Sequence, residues 1–170
     1  FTWASAAKTP RYVYDLNSAL VARAKIRDMT SILARTRARD VDIFAHSMGA
    51  FLTMEGLVDA QRSGRLERSQ LNVDHILLAS PDIDIDLFRT QVGQLPKWLL
   101  EKMYLLISSD DAALKFSRKI AGGVPRVGAA NAEELERFGV TVIDLSQIAD
   151  SRSGSHSKFA GSPEVVQLIG

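Results

Sequence analysis

Short apolar runs alternate with longer amphipathic segments along the chain, and this alternation limits the possible folds more than any single residue does. The runs at 41–45, 75–80, 103–108 and 140–145 are rich in Val, Ile and Leu and end at small or acidic residues. Runs of this length are typical of strands buried in a parallel sheet. We therefore predict an α/β fold: a mostly parallel sheet joined by right-handed helical crossovers, with helices on both faces.

The segments between these runs have the apolar spacing of helices. The first lies within 16–33, the second within 51–58, the third at 111–120 and the fourth at 132–138. Gly122 and Gly123 are expected to end the third helix, and Gly139 the fourth. Residues 1–3 resemble the last residues of one more strand. With 170 residues in all, we expect one domain spanning the whole chain.

Composition excludes several classes of function. The 21 Lys and Arg residues nearly balance the 20 Asp and Glu residues, which gives no reason to expect a nucleic-acid partner. The basic segment 23–39 is interpreted as a solvated helix face. No apolar run approaches the roughly 20 residues that a membrane helix needs, and no targeting segment is recognisable, so stable membrane insertion is not expected. Cysteine is absent, which excludes disulfides and thiolate chemistry but leaves the cellular compartment undetermined.

The strongest local motif is Ala45-His46-Ser47-Met48-Gly49, which lies where the strand at 41–45 should end and a helix should begin. It matches the Gly-x-Ser-x-Gly nucleophile elbow, with Ala in the first small position. A sharp strand-to-helix turn would expose the Ser47 hydroxyl at a helix N-terminus, where unpaired N–H groups favour developing negative charge. We predict Ser47 as the nucleophile and the N–H of Met48 as an oxyanion donor.

A serine nucleophile needs a general base, and the chain has three histidines. His46 should point away from the Ser47 hydroxyl, and His75 should lie at the opposite, amino end of the sheet. We interpret both as structural. His156 follows the last predicted strand, at the carboxyl end of the sheet, and is therefore predicted to be the base.

The third member of such a triad is a carboxylate, and several candidates follow predicted strands. We rank Asp111 first, Asp82 second and Asp110 third. Each of the three precedes His156 in the chain and therefore satisfies the Ser, acid, His order. Asp144 is expected to organise the loop that holds His156. A calcium-like run begins at Asp82, but Leu87 and Gly93 occupy positions where a calcium loop needs Gly and Glu. We expect no metal and no cofactor.

Trp98 lies beside Leu95, Leu99 and Leu100, in an apolar patch between two predicted strands. Two interpretations stay open for it: a wall of a substrate pocket, or ordinary core packing.

Taken in order, several segments of the chain resemble one protein family. They are FTWAS at 1–5, AHSMG at 45–49, SPDID at 80–84, SSDDAAL at 108–114, PRVG at 125–128 and GSHS at 154–157. The set is similar to an uncharacterised family of bacterial α/β hydrolases, which are esterase- or lipase-like. The resemblance implies Ser47 as nucleophile, Asp111 as acid and His156 as base, and it implies no particular substrate.

The chain departs from this family in ways that affect the expected site. Ala4 stands where Pro is usual, and Lys158 stands where an aromatic residue is common, which suggests an altered rim of the site. The resemblance also implies earlier strands ahead of residue 1 and a second oxyanion donor in the loop that ends one of them. The first strands of the fold are thus expected to be missing from this chain.

Two functions are compatible with these patterns. The first is a serine hydrolase that cleaves small carboxylic esters through an acyl-enzyme. The second is a non-catalytic binding or interaction module on the same scaffold, or an inactive fragment of an enzyme. An unpaired strand edge at residues 1–3 would in either case favour self-association.

Overall fold

The four apolar runs form four parallel strands in the computed structural model, which describes residues 2–5, 11–33, 35–36, 38, 40–68, 72–148 and 156–161. The strands are β1 (Asp40–His46), β2 (Asn72–Ala79), β3 (Met103–Ile107) and β4 (Thr141–Asp144). They hydrogen-bond in the order β1-β2-β3-β4, each parallel to the next. The predicted α/β fold with a parallel sheet is therefore confirmed.

Helices connect the strands and make each crossover long enough to return the chain to the same end of the sheet. In chain order they are α1 (Tyr12–Leu33), α2 (Met48–Arg62), α3 (Arg65–Arg68), α4 (Ile85–Val92), α5 (Lys97–Leu100), α6 (Ala112–Ile120), α7 (Ala132–Glu136) and α8 (Lys158–Gly161), with a 3₁₀ turn at Val127–Ala129. The four predicted helices correspond to α1, α2, α6 and α7. Gly122, Gly123 and Gly139 have positive φ angles, as expected of glycines that end helices.

The predicted strand at residues 1–3 is wrong where it can be compared with the structure. Thr2 and Trp3 are not in a strand, and Phe1 lies outside the described residues. Within the part of the chain that the structure describes, β1 is the outermost strand on its side of the sheet. Among these residues the outer strands of the sheet are therefore β1 and β4, and neither includes residues 2 and 3.

Because all four strands are parallel, their carboxyl ends meet at one edge of the sheet, and backbone hydrogen bonds continue just past that edge. The N–H of Ser47 donates to Ala79 O at 2.9 Å, and the N–H of Ser80 donates to Leu106 O at 2.9 Å. The N–H of Leu145 likewise donates to Ile107 O at 2.8 Å. These bonds fix the first loop residue after β1, β2 and β4.

Two glycines permit close packing, one between two helices and one beside the loop that follows β2. A Cβ at Gly56 in α2 would lie 2.7 Å from the Ile26 side chain of α1, so the glycine lets the two helices approach closely. A Cβ at Gly128 would lie 2.7 Å from backbone atoms of Ser80 and Pro81. The segment that contains Gly128 therefore packs directly on the loop that follows β2.

The apolar patch around Trp98 lies far from this edge. Leu95, Leu99 and Leu100 are core residues, whereas Trp98 is 43% exposed. Trp98 belongs to α5, just before β3 begins, and the Lys102 ammonium lies over its ring. Lys102 in turn donates to Val73 O near the start of β2, so Trp98 lies at the amino end of the sheet and is not a pocket wall. No helix among the described residues has the length and apolarity needed to cross a bilayer.

Candidate active site

Ser47 occupies a strained turn between the end of β1 and the start of α2. Its backbone angles are φ 54° and ψ −122°, a positive φ that non-glycine residues rarely adopt. Such a conformation costs of order 1–3 kcal/mol and persists only where the surrounding structure holds it. Ala45 is buried, and a Cβ at Gly49 would already contact the Trp3 ring at 3.6 Å. Small residues two positions before and after Ser47 therefore suit this turn.

Met48 is the first residue of α2, so its N–H has no acceptor within the helix. The N–H groups of this first turn carry the positive end of the helix dipole. An oxygen that becomes negatively charged near Ser47 would meet these donors. The N–H of Met48 therefore lies where the sequence predicts an oxyanion donor.

Asp111 and His156 are brought together at the carboxyl edge of the sheet. Asp111 is fully buried at the residue before α6, and its Oδ1 accepts a hydrogen bond from the N–H of Leu114 at 3.0 Å. Its Oδ2 lies 2.8 Å from His156 Nδ1. Since a carboxylate accepts, Nδ1 carries the proton and Nε2 of a neutral imidazole has a free lone pair. His156 is thus held in the tautomer that a general base requires.

Asp82, the second-ranked acid, belongs to a different buried cluster. Its carboxylate accepts from Ser117 Oγ at 2.8 Å, and Arg126 Nε lies 3.4 Å away. Tyr12 also hydrogen-bonds to it. Burial raises the pKa of Asp82, and burial together with the Asp82 charge raises the pKa of Tyr12 to about 12. The N–H of Asp82 donates to Ser47 O at 3.3 Å, so this cluster supports the elbow through the backbone.

Asp110, the third-ranked acid, pairs with Lys158. The ammonium lies 3.0 Å from Asp110 Oδ1 and 2.9 Å from Oδ2, and Ser108 Oγ also donates to Oδ1. The Lys158 side chain is only 4% exposed. Lys158 was expected at the rim of the site, but it is a buried cation beneath the turn that carries His156. The position of Lys158 two residues after His156 is the one feature of the sequence that points to a contact near the site.

His46 contacts His156 directly. His46 Nε2 lies 3.0 Å from the backbone oxygen of His156, and the two rings are 4.7 Å apart. Because the carbonyl can only accept, Nε2 of His46 carries a proton and donates it. Burial lowers the pKa of His46 below its ordinary value. His46 thus binds the backbone of His156, the predicted base.

His75 and Asp144 also occupy places that can be described. His75 lies within β2, at an exposed position, and its Nδ1 is 2.9 Å from Asp42 of β1.

Asp144 accepts from the N–H and Oγ of Ser146, and the Oγ of Ser146 accepts from the N–H of Ser109. Asp144 thereby orders the turn after β4. Most of the loop that follows, 149–155, lies outside the described residues.

The described part of the chain has no group of three or more His, Asp or Glu residues arranged to hold a metal ion. The carboxyl edge of the sheet carries a serine on a strained turn, the N-terminus of α2, and an imidazole hydrogen-bonded to a buried carboxylate. These groups are suited to nucleophilic attack on a carbonyl with general base assistance.

Comparisons with known proteins agree with the fold. A family model described as an alpha/beta hydrolase of unknown function (DUF900) matches residues 1–170. Searches of curated proteins and of solved structures gave no match. Because the family model covers every residue of the chain and the parallel sheet agrees with it, the chain belongs to this family of α/β hydrolases of unknown function.

Proposed function

We propose that this protein is a serine hydrolase that cleaves small carboxylic esters through an acyl-enzyme on Ser47. The observation that carries the proposal is the hydrogen bond from His156 to the fully buried Asp111, at the same sheet edge as the strained Ser47 turn. A Ser-His-Asp triad uses these three groups, with the carboxylate orienting the imidazole and the imidazole activating the serine.

In the acylation half-reaction, Ser47 Oγ attacks the ester carbonyl carbon while His156 Nε2 takes the hydroxyl proton. The carbonyl electrons move onto the oxygen, which the N–H of Met48 stabilises. As the tetrahedral intermediate collapses, the bond to the alkoxy group breaks and His156 returns the proton to the departing alcohol. Asp111 holds the imidazole ring in place and stabilises its transient positive charge.

In the deacylation half-reaction, water takes the place of the alcohol. His156 Nε2 accepts a proton from water as its oxygen attacks the acyl carbon. Collapse releases the carboxylic acid and returns the proton to Ser47 Oγ. The cycle needs no cofactor.

The proposal is tested with a fluorophosphonate probe, whose phosphorus forms a stable bond with an activated serine. We expect labelling of the Ser47 peptide by mass spectrometry and turnover of p-nitrophenyl acetate, both abolished in Ser47→Ala. The matched control is Ser63→Ala. Ser63 follows the other end of α2, about 22 Å along a 15-residue helix, and this variant should keep both properties.

Labelling or turnover that survives in Ser47→Ala would refute the proposed nucleophile. A folded wild-type protein that shows neither labelling nor turnover would refute the enzymatic function. That second result would favour the alternative, a binding module that keeps the hydrolase scaffold without its activity.

A further inference from the structure

Lys158 is a buried cation that the acylation chemistry does not use. Its side chain is 4% exposed, and a charge is rarely buried unless it is paired. Four oxygens surround the ammonium: both carboxylate oxygens of Asp110, Leu145 O at 3.2 Å and Ser146 O at 3.3 Å. An ammonium has three protons, so every one of them is directed at an acceptor.

These acceptors come from two different loops. Asp110 directly precedes Asp111 in the turn after β3, whereas Leu145 and Ser146 follow β4. Lys158 itself lies two residues after His156, at the start of α8. One side chain therefore joins the turn of the predicted acid, the loop after β4 and the segment of the predicted base.

A second set of contacts holds the same segment from the side of β1. His46 donates to the backbone oxygen of His156, and the Phe159 ring lies 4.9 Å from the His46 ring and 5.2 Å from that of Phe44. These contacts fix the segment laterally. Besides the ion pair of Lys158 with Asp110, the described part of this segment reaches the Asp111 turn through the hydrogen bond between Asp111 and His156.

We propose that Lys158 is a positioning residue, which sets the His156 imidazole on Asp111 by tying the His156 segment to Asp110 and to the loop after β4. The inference rests on the proposed function for its kinetic consequence. Lys158 also neutralises Asp110, which keeps a second, half-exposed carboxylate from competing with Asp111 for the imidazole. Lys158 contacts no reacting atom, so its role is in geometry and not in proton transfer.

The test compares Lys158→Met with the wild-type protein in two measurements. In Lys158→Met the rate constant for Ser47 acylation should fall by about 100-fold, the loss typical of a catalytic group displaced by about 1 Å, with KM unchanged. The low-field proton resonance of His156 Nδ1–H should broaden through exchange with water. The resonance needs no turnover, so it tests the positioning role even if the wild-type protein proves to have no esterase activity.

Asp110→Ala is the second variant, because it removes the two carboxylate acceptors and leaves Leu145 O and Ser146 O to accept from the ammonium. We expect the same changes at smaller size. The matched control is Lys97→Met, which removes a lysine that is 88% exposed and paired with Glu101, and it should change neither measurement.

The positioning role would be overturned by a folded Lys158→Met variant with the wild-type acylation rate and a sharp resonance. Should Lys158→Met fail to fold, an Asp110→Ala variant that matches the wild type in both measurements would overturn it equally. A wild-type protein that is not acylated at Ser47 would instead contradict the proposed function.

Discussion

Asp111 has two separate roles in this structure, and replacing it with asparagine separates them. Oδ1 caps α6 by accepting from the N–H of Leu114, and Oδ2 orients His156. In Asp111→Asn the amide oxygen can keep the cap, because Asn and Asp are about equally good at this position. The amide NH₂ then faces His156 Nδ1. That nitrogen must become an acceptor, which moves the ring proton to Nε2 and blocks the imidazole as a base.

The two roles have different magnitudes. The wrong tautomer is expected to lower kcat by about 10⁴-fold, the loss typical of this substitution in a catalytic triad, which corresponds to about 5 kcal/mol in the activation barrier. Loss of the charge at the helix N-terminus is worth only about 0.3–1 kcal/mol of folding free energy. Activity should therefore collapse while the protein stays folded.

The assay pairs p-nitrophenyl acetate turnover with urea unfolding, and Asp84→Asn is the matched control. Asp84 caps α4 by accepting from the N–H groups of Asp86 and Leu87 at 2.9 and 3.2 Å. Both variants should lose a similar, small amount of stability, and Asp84→Asn should keep its activity. A kcat for Asp111→Asn within tenfold of the wild type, or an equal loss of activity in Asp111→Asn and Asp84→Asn, would refute the tautomer mechanism.

Three further outcomes follow from the packing and charges. Gly128→Ala should lower the free energy of unfolding by about 1–3 kcal/mol in urea, because its Cβ would meet backbone atoms at 2.7 Å. Gly93→Ala, where the nearest contact is 3.4 Å, should lower it much less. Equal losses of stability in the two variants would contradict this packing. Burial lowers the pKa of His46, so the unfolded chain binds more protons there, and stability should fall as pH drops below about 6.5. His46→Gln should flatten that dependence more than His75→Gln, and an unchanged slope would count against the neutral, buried imidazole. We also propose that the β1 edge pairs with a second copy of the chain. Sedimentation should then show association that increases with concentration and weakens in Phe44→Lys, at a 48% exposed position on that strand. A protein that stays monomeric at every concentration would exclude this pairing.

Much of the fold was predictable because its signals are local and periodic. The strands begin and end within three residues of the predicted runs. Helices α1 and α2 contain the first two predicted helices, whereas α6 and α7 are one and two residues shorter than the third and fourth. The four-residue helices α3, α5 and α8 are too short to show a period of 3.6 residues. Helix α4 begins within the alternating run that resembles a calcium loop, and its capping residue, Asp84, is part of that same run.

The site was predictable only in part. The elbow has a fixed sequence pattern, so Ser47 could be assigned to a strained turn, and the observed φ agrees with that expectation. The sequence pattern ranks Asp111 ahead of Asp82 and Asp110, but it does not show what each carboxylate contacts, since all three follow strands at the same edge. Their contacts differ because each turn directs its carboxylate elsewhere: to Ser117 and Arg126 for Asp82, to Lys158 for Asp110, and to His156 for Asp111.

The supporting contacts of His156 were not predictable at all. His46 contacts the His156 backbone, and Lys158 joins the same segment to Asp110, in turns whose backbone angles no short motif specifies. A lysine two residues after a loop histidine is usually solvated. Lys158 is buried and paired because the loops after β3 and β4 converge around its ammonium group.

The most direct test of the central claim is to trap the acyl-enzyme during turnover. The protein is mixed with an excess of p-nitrophenyl ester, quenched in acid, digested and analysed by mass spectrometry. We expect the mass of the acyl group on the peptide that contains Ser47, and no such adduct in Ser47→Ala. An acyl adduct at another residue, or ester turnover without any covalent adduct at Ser47, would contradict the assignment of Ser47 as the nucleophile.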